Sequence, residues 1–244
     1  MRQDVFEIVS NKNLAPGVYE MVLRGASTED CTPGRFVQLK LDSFYLRRPI
    51  SVCDAEDGKL TLVYKTVGRG TEAMAQYDSG KRIDVLTGLG NGYKLDNSGD
   101  RPLLIGGGAG VPPMYLLTRR LLAQGKQPTV ILGFNKSDEQ FYVEEFKALG
   151  LETIICTADG SVGVKGFVTD GMKAAGTYTY TFACGPEPML KAVYNLTETD
   201  GQYSFEERMG CGFGACMGCT CETKYGNKRI CKDGPVLTKE EIVW

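Results

Sequence analysis

Hydrophobic spacing changes character along the chain. Over residues 1–98 the apolar positions come as short alternating or clustered runs, at 5–9, 18–23, 36–41 and 59–64, rich in β-branched and aromatic residues. Pro16-Gly17, Pro33-Gly34 and Asp57-Gly58 interrupt them with turn chemistry. A single helical segment is expected after Gly70, over 71–75. This pattern predicts a small antiparallel β-barrel. Over residues 99–201 short apolar runs alternate with segments of helical period: runs at 103–105, 129–134, 153–156 and 178–183, helices at 114–124, 138–149 and 189–196. Alternation of that kind predicts an α/β domain with a parallel sheet, whose ligands bind beyond the C-terminal ends of the strands. Residues 202–244 are rich in cysteine and glycine with no helical period, too short a stretch to fold without a staple.

Composition narrows the chemistry. The 244 residues carry 28 Lys+Arg against 30 Asp+Glu, a net charge of -2, so no basic field draws the chain to nucleic acid or an anionic membrane. No apolar run approaches the ~20 residues of a membrane span. Asp4 and Glu7 interrupt the N-terminus where a signal peptide would be apolar, so a cytoplasmic protein with reduced thiols is expected. There is no histidine, which removes Ser-His-Asp and Cys-His catalysis, His-containing zinc sites and His-ligated haem. Nine cysteines remain, an odd number that argues against a complete disulfide framework, and five of them fall between positions 211 and 231.

Those five include the strongest motif. Cys211, Cys216 and Cys219 are spaced C-x4-C-x2-C, and Cys231 follows at a distance, the plant-type pattern for a [2Fe–2S] cluster. One loop must wrap the cluster and turn its amides toward sulfur, which needs the small residues Gly212, Gly214, Ala215 and Gly218. A zinc ribbon is the alternative, although zinc sites favour two separated C-x2–4-C pairs. Cys221 would be a fifth thiolate and is expected to be a non-ligand.

Three further motifs suit nucleotides. Gly106-Gly-Gly-Ala-Gly-Val-Pro-Pro113 closes a strand; Val111 breaks the G-x-G-x-x-G fingerprint, but Gly108, Gly110 and Pro113 form G-x-G-x-x-P. Such a loop lets backbone approach a pyrophosphate at a helix N-terminus, whose amides and dipole favour it. Arg48 stands three residues before Ser51 in Arg-Arg-Pro-Ile-Ser, a spacing that can clamp a diphosphate, and Gly70-Thr71 is a second candidate cradle. Cys184-Gly185-Pro186 ends a strand at the expected ligand edge of the sheet. Each has a bland reading as well: a plain βα turn, a solvated arginine turn, a tight turn with a buried thiol.

Together these motifs resemble the ferredoxin–NADP reductase superfamily, and within it, over essentially the whole chain, the electron-transfer subunits of NAD-dependent dihydroorotate dehydrogenase. The resemblance implies three modules: an FAD-binding β-barrel (1–98), an NAD-binding α/β domain (99–201) and a small C-terminal [2Fe–2S] module (202–244). It implies that Arg48, Pro49, Ile50 and Ser51 bind FAD together with Val63, Tyr64, Lys65, Gly70 and Thr71, and that Cys211, Cys216, Cys219 and Cys231 hold the cluster. The nicotinamide nucleotide would sit at Gly106, Gly108, Gly110, Cys184, Gly185 and Pro186. It further implies an FMN-containing catalytic subunit as partner, in a heterotetramer of two of each, and a place in pyrimidine biosynthesis. The partner would oxidise dihydroorotate, and this chain would pass the electrons on without a catalytic acid or base of its own. Residues 136–139 leave the nucleotide open, since Lys136 and Ser137 suit a 2′-phosphate and Asp138 and Glu139 repel one; only the resemblance points to NAD. A sibling NAD(P)H-linked sulfide or ferredoxin reductase subunit stays open as the rival, and so does a non-redox module.

Overall fold

The computed structural model describes residues 1–244. Six strands close the N-terminal barrel: β1 (Arg2–Ala15), β2 (Val18–Arg24), β3 (Phe36–Lys40), β4 (Arg48–Glu56), β5 (Lys59–Lys65) and β6 (Arg82–Leu89), in the order β1-β2-β5-β4-β3-β6. All their pairings are antiparallel. Alternation fills the interior with residues such as Val37, Leu39, Leu60, Leu62 and Val85. The expected segment after Gly70 is α1 (Arg69–Met74), between β5 and β6. Strands β4 and β6 escaped the reading of hydrophobic runs. Each mixes charged and polar residues with its apolar ones, because one face is covered only by other parts of the chain.

The second unit alternates strand and helix. It comprises β7 (Pro102–Gly107), α2 (Val111–Ala123), β8 (Thr129–Phe134), α3 (Val143–Ala148), β9 (Thr153–Thr157), β10 (Val164–Lys165), α4 (Val168–Gly171), β11 (Tyr180–Cys184), α5 (Glu187–Leu196) and β12 (Gly201–Ser204). The helix expected over 138–149 is shorter, because Tyr142 takes φ 63°, in the left-handed region, and only α3 follows it. The hairpin β13 (Thr220–Thr223) and β14 (Gly226–Arg229) belongs to the cysteine-rich stretch. After it β15 (Val236–Thr238) returns antiparallel onto β12. The sheet runs β10-β9-β8-β7-β11-β12-β15 and is parallel up to β12. The staple that the short C-terminal stretch needs is therefore partly this sheet. Strand β12 at its start and β15 near its end belong to the seven-stranded sheet.

Strand order reverses between β7 and β11, so the crevice at their C-terminal ends is the ligand position of an open α/β sheet. The units share cores. One cluster joins barrel residues Ala15, Val18 and Val63 to Leu104, Met114 and Phe182 of the sheet domain. Another joins Phe36 and Leu86 of the barrel to Cys219, Ile230 and Cys231. Polar links reinforce the first contact: Arg119 on α2 meets Asp54 at 2.7 Å and Glu56 at 2.8 Å, and the Tyr142 hydroxyl donates to Glu20 at 2.7 Å. No helix is long and apolar enough to cross a membrane.

Candidate functional site

Register brings the sequence motifs together. Cys184 pairs with Gly106 across β11 and β7, so the glycine loop and the Cys-Gly-Pro turn leave the sheet side by side. A Cβ on Gly110 would overlap the Cys184 carbonyl, so this close approach requires glycine. Gly108 differs: its φ is +52° and no atom lies within 4 Å of where a Cβ would stand. Its backbone faces open space in a crevice of about 650 Å3, lined also by Gly107, Asn135, Glu139, Phe167 and Met189. The N-terminus of α2 offers its dipole more than its amides. Pro112 and Pro113 have no N–H, and the Val111 N–H is taken by the Gly108 carbonyl. Burial pushes the Cys184 thiol up to about 12, so it stands there neutral.

The charged groups near 136–139 are paired among themselves. Lys136 is tied to Asp138 at 3.0 Å, Asn135 donates to Glu139 at 2.8 Å, and Glu139 lines the crevice. Lys136 is thus already neutralised by Asp138.

A second cleft, of about 430 Å3, lies between barrel and sheet domain. Arg48, Pro49, Ile50 and Ser51 line it from β4, Val63, Tyr64 and Lys65 from β5, and Thr71 from α1. Gly110, Cys184, Gly185 and Pro186 close it from the other side, and Gly106, behind them, is buried in β7. Gly70 lies against the Arg48 guanidinium, where any side chain would collide with it, so two stretches far apart in sequence form one corner. The neighbouring arginines separate. Arg47 turns to Asp84 at 2.9 Å and to the carbonyls of Gln38 and Asp84, as a structural tie. Arg48 has no carboxylate partner; it donates to the Leu46 carbonyl and stacks 4.8 Å over Phe44. The cleft combines the small Gly107, Ala109 and Gly110 with the larger Phe36, Tyr64 and Phe205 and the carboxylates Glu206 and Glu207. Within it the unpaired Arg48 guanidinium and Lys65 are the cations suited to the diphosphate of a dinucleotide. Thr71 holds its own turn, donating to Gly68 and accepting from the Val67 N–H.

In the cysteine-rich stretch the chain gathers its thiols as two pairs, with no three of them on a common point. The Cys216 and Ala215 N–H groups donate to Cys211 Sγ at 3.4 and 3.2 Å, the Cys211 N–H to Cys216 Sγ at 3.5 Å, and the Cys231 N–H to Cys219 Sγ at 3.3 Å. Burial opposes charge on Cys211, but the amides of Cys216, Phe213 and Ala215 outweigh it and bring the thiol down to about 6. Cys231, more deeply buried against Cys219, is pushed up to about 12. Gly212 and Gly214 have φ of +78° and +92°, which bends the loop so that its amides face sulfur. Four thiols in two pairs, each with N–H donors, fit a two-iron cluster with two thiolates on each iron. Cys221 lies on β13 outside this network.

Residues that no motif announced also build the site. Arg229 donates to the Gly214 carbonyl at 2.9 Å while Asp233 holds its Nε at 3.0 Å, clamping the cysteine loop from the hairpin side. Gln38 of β3 lies under Gly212. A clamp made of residues 15 positions apart has no spacing signature, and a glutamine on a strand ordinarily reads as solvated.

A closed barrel, a switch-point α/β sheet and an appended thiol loop define a reductase of the ferredoxin–NADP reductase fold with an iron–sulfur module. The comparisons agree. Residues 206–243 match the model of the iron-sulfur cluster binding domain of dihydroorotate dehydrogenase B, and residues 104–195 that of the oxidoreductase NAD-binding domain. The electron transfer subunit of dihydroorotate dehydrogenase B (NAD(+)) from Lysinibacillus sphaericus is 43% identical, with 99% of each chain covered. Its counterpart from Fusobacterium nucleatum is 41% identical, over 96% of each. The chain belongs to this family of dihydroorotate dehydrogenase B electron transfer subunits, oxidoreductase components whose name implies a separate catalytic partner. Among solved structures, an NADH-dependent reduced ferredoxin-NADP oxidoreductase superposes with TM-score 0.90 at 30% identity, covering 98% of this chain and 90% of that one. A Neisseria gonorrhoeae ferredoxin NADP+ reductase with bound FAD and NADP shares the fold at 16% identity and TM-score 0.70, over 80% of this chain and 90% of that one.

Proposed function

We propose that this chain takes single electrons from an FMN-containing dihydroorotate dehydrogenase subunit and delivers them in pairs, as hydride, to NAD+, in a heterotetramer of two of each. The observation that carries this reading is one strand pair. Strand β4 presents Arg48 and Ser51 to the cleft, while its antiparallel partner β3 packs through Phe36 against the core that holds Cys219 and Cys231. A site for FAD and a site for a cluster thus share a wall.

When bound, the cluster carries one electron at a time and the flavin can exchange single electrons for a hydride, so a chain with both converts between the two. The protein's own part is to bind and orient. Arg48 and Ser51 hold the FAD diphosphate, with Pro49, Ile50, the Val63-Tyr64-Lys65 segment, Gly70 and Thr71 around the rest. The open backbone at Gly108, with Gly106, Gly110 and the Cys184-Gly185-Pro186 turn, seats the nicotinamide nucleotide. Glu139 in the crevice, and the Lys136–Asp138 pair, favour NAD over NADP. Cys211, Cys216, Cys219 and Cys231 ligate the cluster. Phe213 and Met217, 45% and 55% exposed on the cysteine loop, offer the catalytic partner an apolar contact. Nine cysteines, none in a disulfide, suit the cytoplasm.

The test is reconstitution. Alone, the chain should oxidise NADH with artificial acceptors and ignore dihydroorotate, because it has no base placed to abstract a proton from that carbon acid. Mixing with the catalytic subunit should produce dihydroorotate-dependent NAD+ reduction. Turnover of dihydroorotate by the chain alone, or no complex at micromolar concentrations, would sink the reading.

A further inference from the structure

Strand β3 alternates as a barrel strand should: Val37 and Leu39 point into the barrel core. Gln38 therefore points outward, where a glutamine would ordinarily meet water. Instead it is fully buried, and neither its Nε2 nor its Oε1 has a protein partner. What covers it is the cysteine loop. The side chain lies against Gly212, the residue after Cys211, so closely that a Cβ there would collide with it, reaching even Cδ at 2.7 Å. Its neighbour Phe36 packs in the cluster that contains Cys219 and Cys231.

Buried polar groups find partners, and an amide left without one loses its hydration for nothing. The loop above Gln38 belongs to a site whose function is to hold sulfur carrying negative charge. Sulfide and thiolate accept hydrogen bonds and donate none, which selects the –NH2 end of the amide. We propose that the Gln38 side chain donates a hydrogen bond from the barrel to the iron–sulfur cluster or its thiolates and raises the cluster's reduction potential. The proposal rests on the cluster assignment made above. A donor at sulfur stabilises the extra negative charge of the reduced state more than the oxidised state, so removing it lowers the potential. Gln38 also pairs in register with Pro49 of β4, so the donor stands on the wall that the cluster loop shares with the flavin cleft.

The experiment uses the whole chain with its cofactors bound. Wild type, Gln38→Leu and Gln38→Glu are compared by iron content, midpoint potential from spectroelectrochemical titration, and electron paramagnetic resonance of the reduced cluster. Wild type and Gln38→Leu are also prepared with glutamine labelled with 15N in the side chain, for pulsed measurements of nitrogen coupling. Gln38→Leu should keep its iron and FAD but shift the oxidised-to-reduced ratio at fixed applied potential about tenfold toward oxidised, or 59 mV for one electron. Gln38→Glu should shift it further, since a carboxylate repels the added charge. The 15N coupling should be present in wild type and absent in Gln38→Leu. An unchanged potential together with no side-chain nitrogen coupling in wild type overturns the proposal. If the variants fail to fold or lose iron, the labelled wild type alone decides by the presence or absence of coupling. Wild type without iron would overturn the cluster assignment itself, and this proposal with it, before any variant is made.

Discussion

Arg47 and Arg48 are adjacent in sequence, yet their replacement should do opposite things. Arg48 has no anionic partner in the protein and lines the dinucleotide cleft. Its loss should leave the fold nearly intact and remove one charge-assisted contact to the FAD diphosphate. Hydrogen bonds to charged groups contribute about 1.5–3 kcal/mol, which corresponds to a fall in FAD affinity of roughly 10- to 150-fold. Arg47 is half-buried and paired with Asp84 at 2.9 Å. Arg47→Ala leaves that carboxylate with Gln3 as its remaining side-chain donor and removes the guanidinium from the Gln38 and Asp84 carbonyls, so it should destabilise the barrel by about 1–3 kcal/mol while FAD affinity stays within a few-fold of wild type. The assay is paired: flavin fluorescence titration of the apoprotein for affinity, and denaturant unfolding of the barrel for stability. Iron should be retained in Arg48→Ala, because the arginine's hydrogen bond and ring contact are to Leu46 and Phe44 and not to the cysteine loop. The reasoning is refuted if Arg47→Ala releases FAD and Arg48→Ala does not, or if both variants lose stability alike.

Serine at Cys211, Cys216, Cys219 or Cys231 should strip iron or change the visible spectrum, whereas Cys221→Ser should keep a near-normal cluster; iron analysis of the five variants decides whether Cys231 is the fourth ligand. Gly110→Ala should lower the unfolding midpoint by the roughly 1–3 kcal/mol of an overpacked contact, since the opposing atoms are the Cys184 backbone. Gly108→Val should instead keep FAD and iron but slow reduction by NADH in stopped flow, because its side chain would project into the open crevice; NADPH should be the poorer donor throughout. Asp84 should make the barrel acid-sensitive. Burial opposes its charge, but hydrogen bonds from Arg47 and Gln3 outweigh this and hold the carboxyl below its usual range. Its contribution is therefore complete above about pH 3.9 and lost as the pH falls through the lowered value. Arg47→Ala should accordingly unfold at a higher pH than wild type in an acid titration followed by circular dichroism.

How much of this was legible beforehand depended on how far apart the cooperating residues lie. Cys211, Cys216 and Cys219 are read from spacing because one loop must wrap one cluster, and the Gly106–Gly110 run is read because a single βα turn meets a phosphate. The alternating runs of the barrel and the strand–helix alternation of the sheet are equally local, since side-chain period reports which face is buried. Where burial is supplied from elsewhere the pattern was silent. Strands β4 and β6 looked too polar, and β12 and β15 fall at the edge of or within a stretch read only as lacking a helical period, although both complete the sheet. Spacing from Ser51 singled out Arg48, but nothing in the sequence announced that its neighbour Arg47 would be tied to Asp84. Gln38 is the sharpest case. Its chemistry follows from being sealed under a loop more than 170 positions away in sequence, a contact made only when barrel and cysteine module pack together. Sequence determined which groups the chain carries and what each short segment can bind; the tertiary structure decided which of them face one another, because such contacts depend on chain closure and not on spacing.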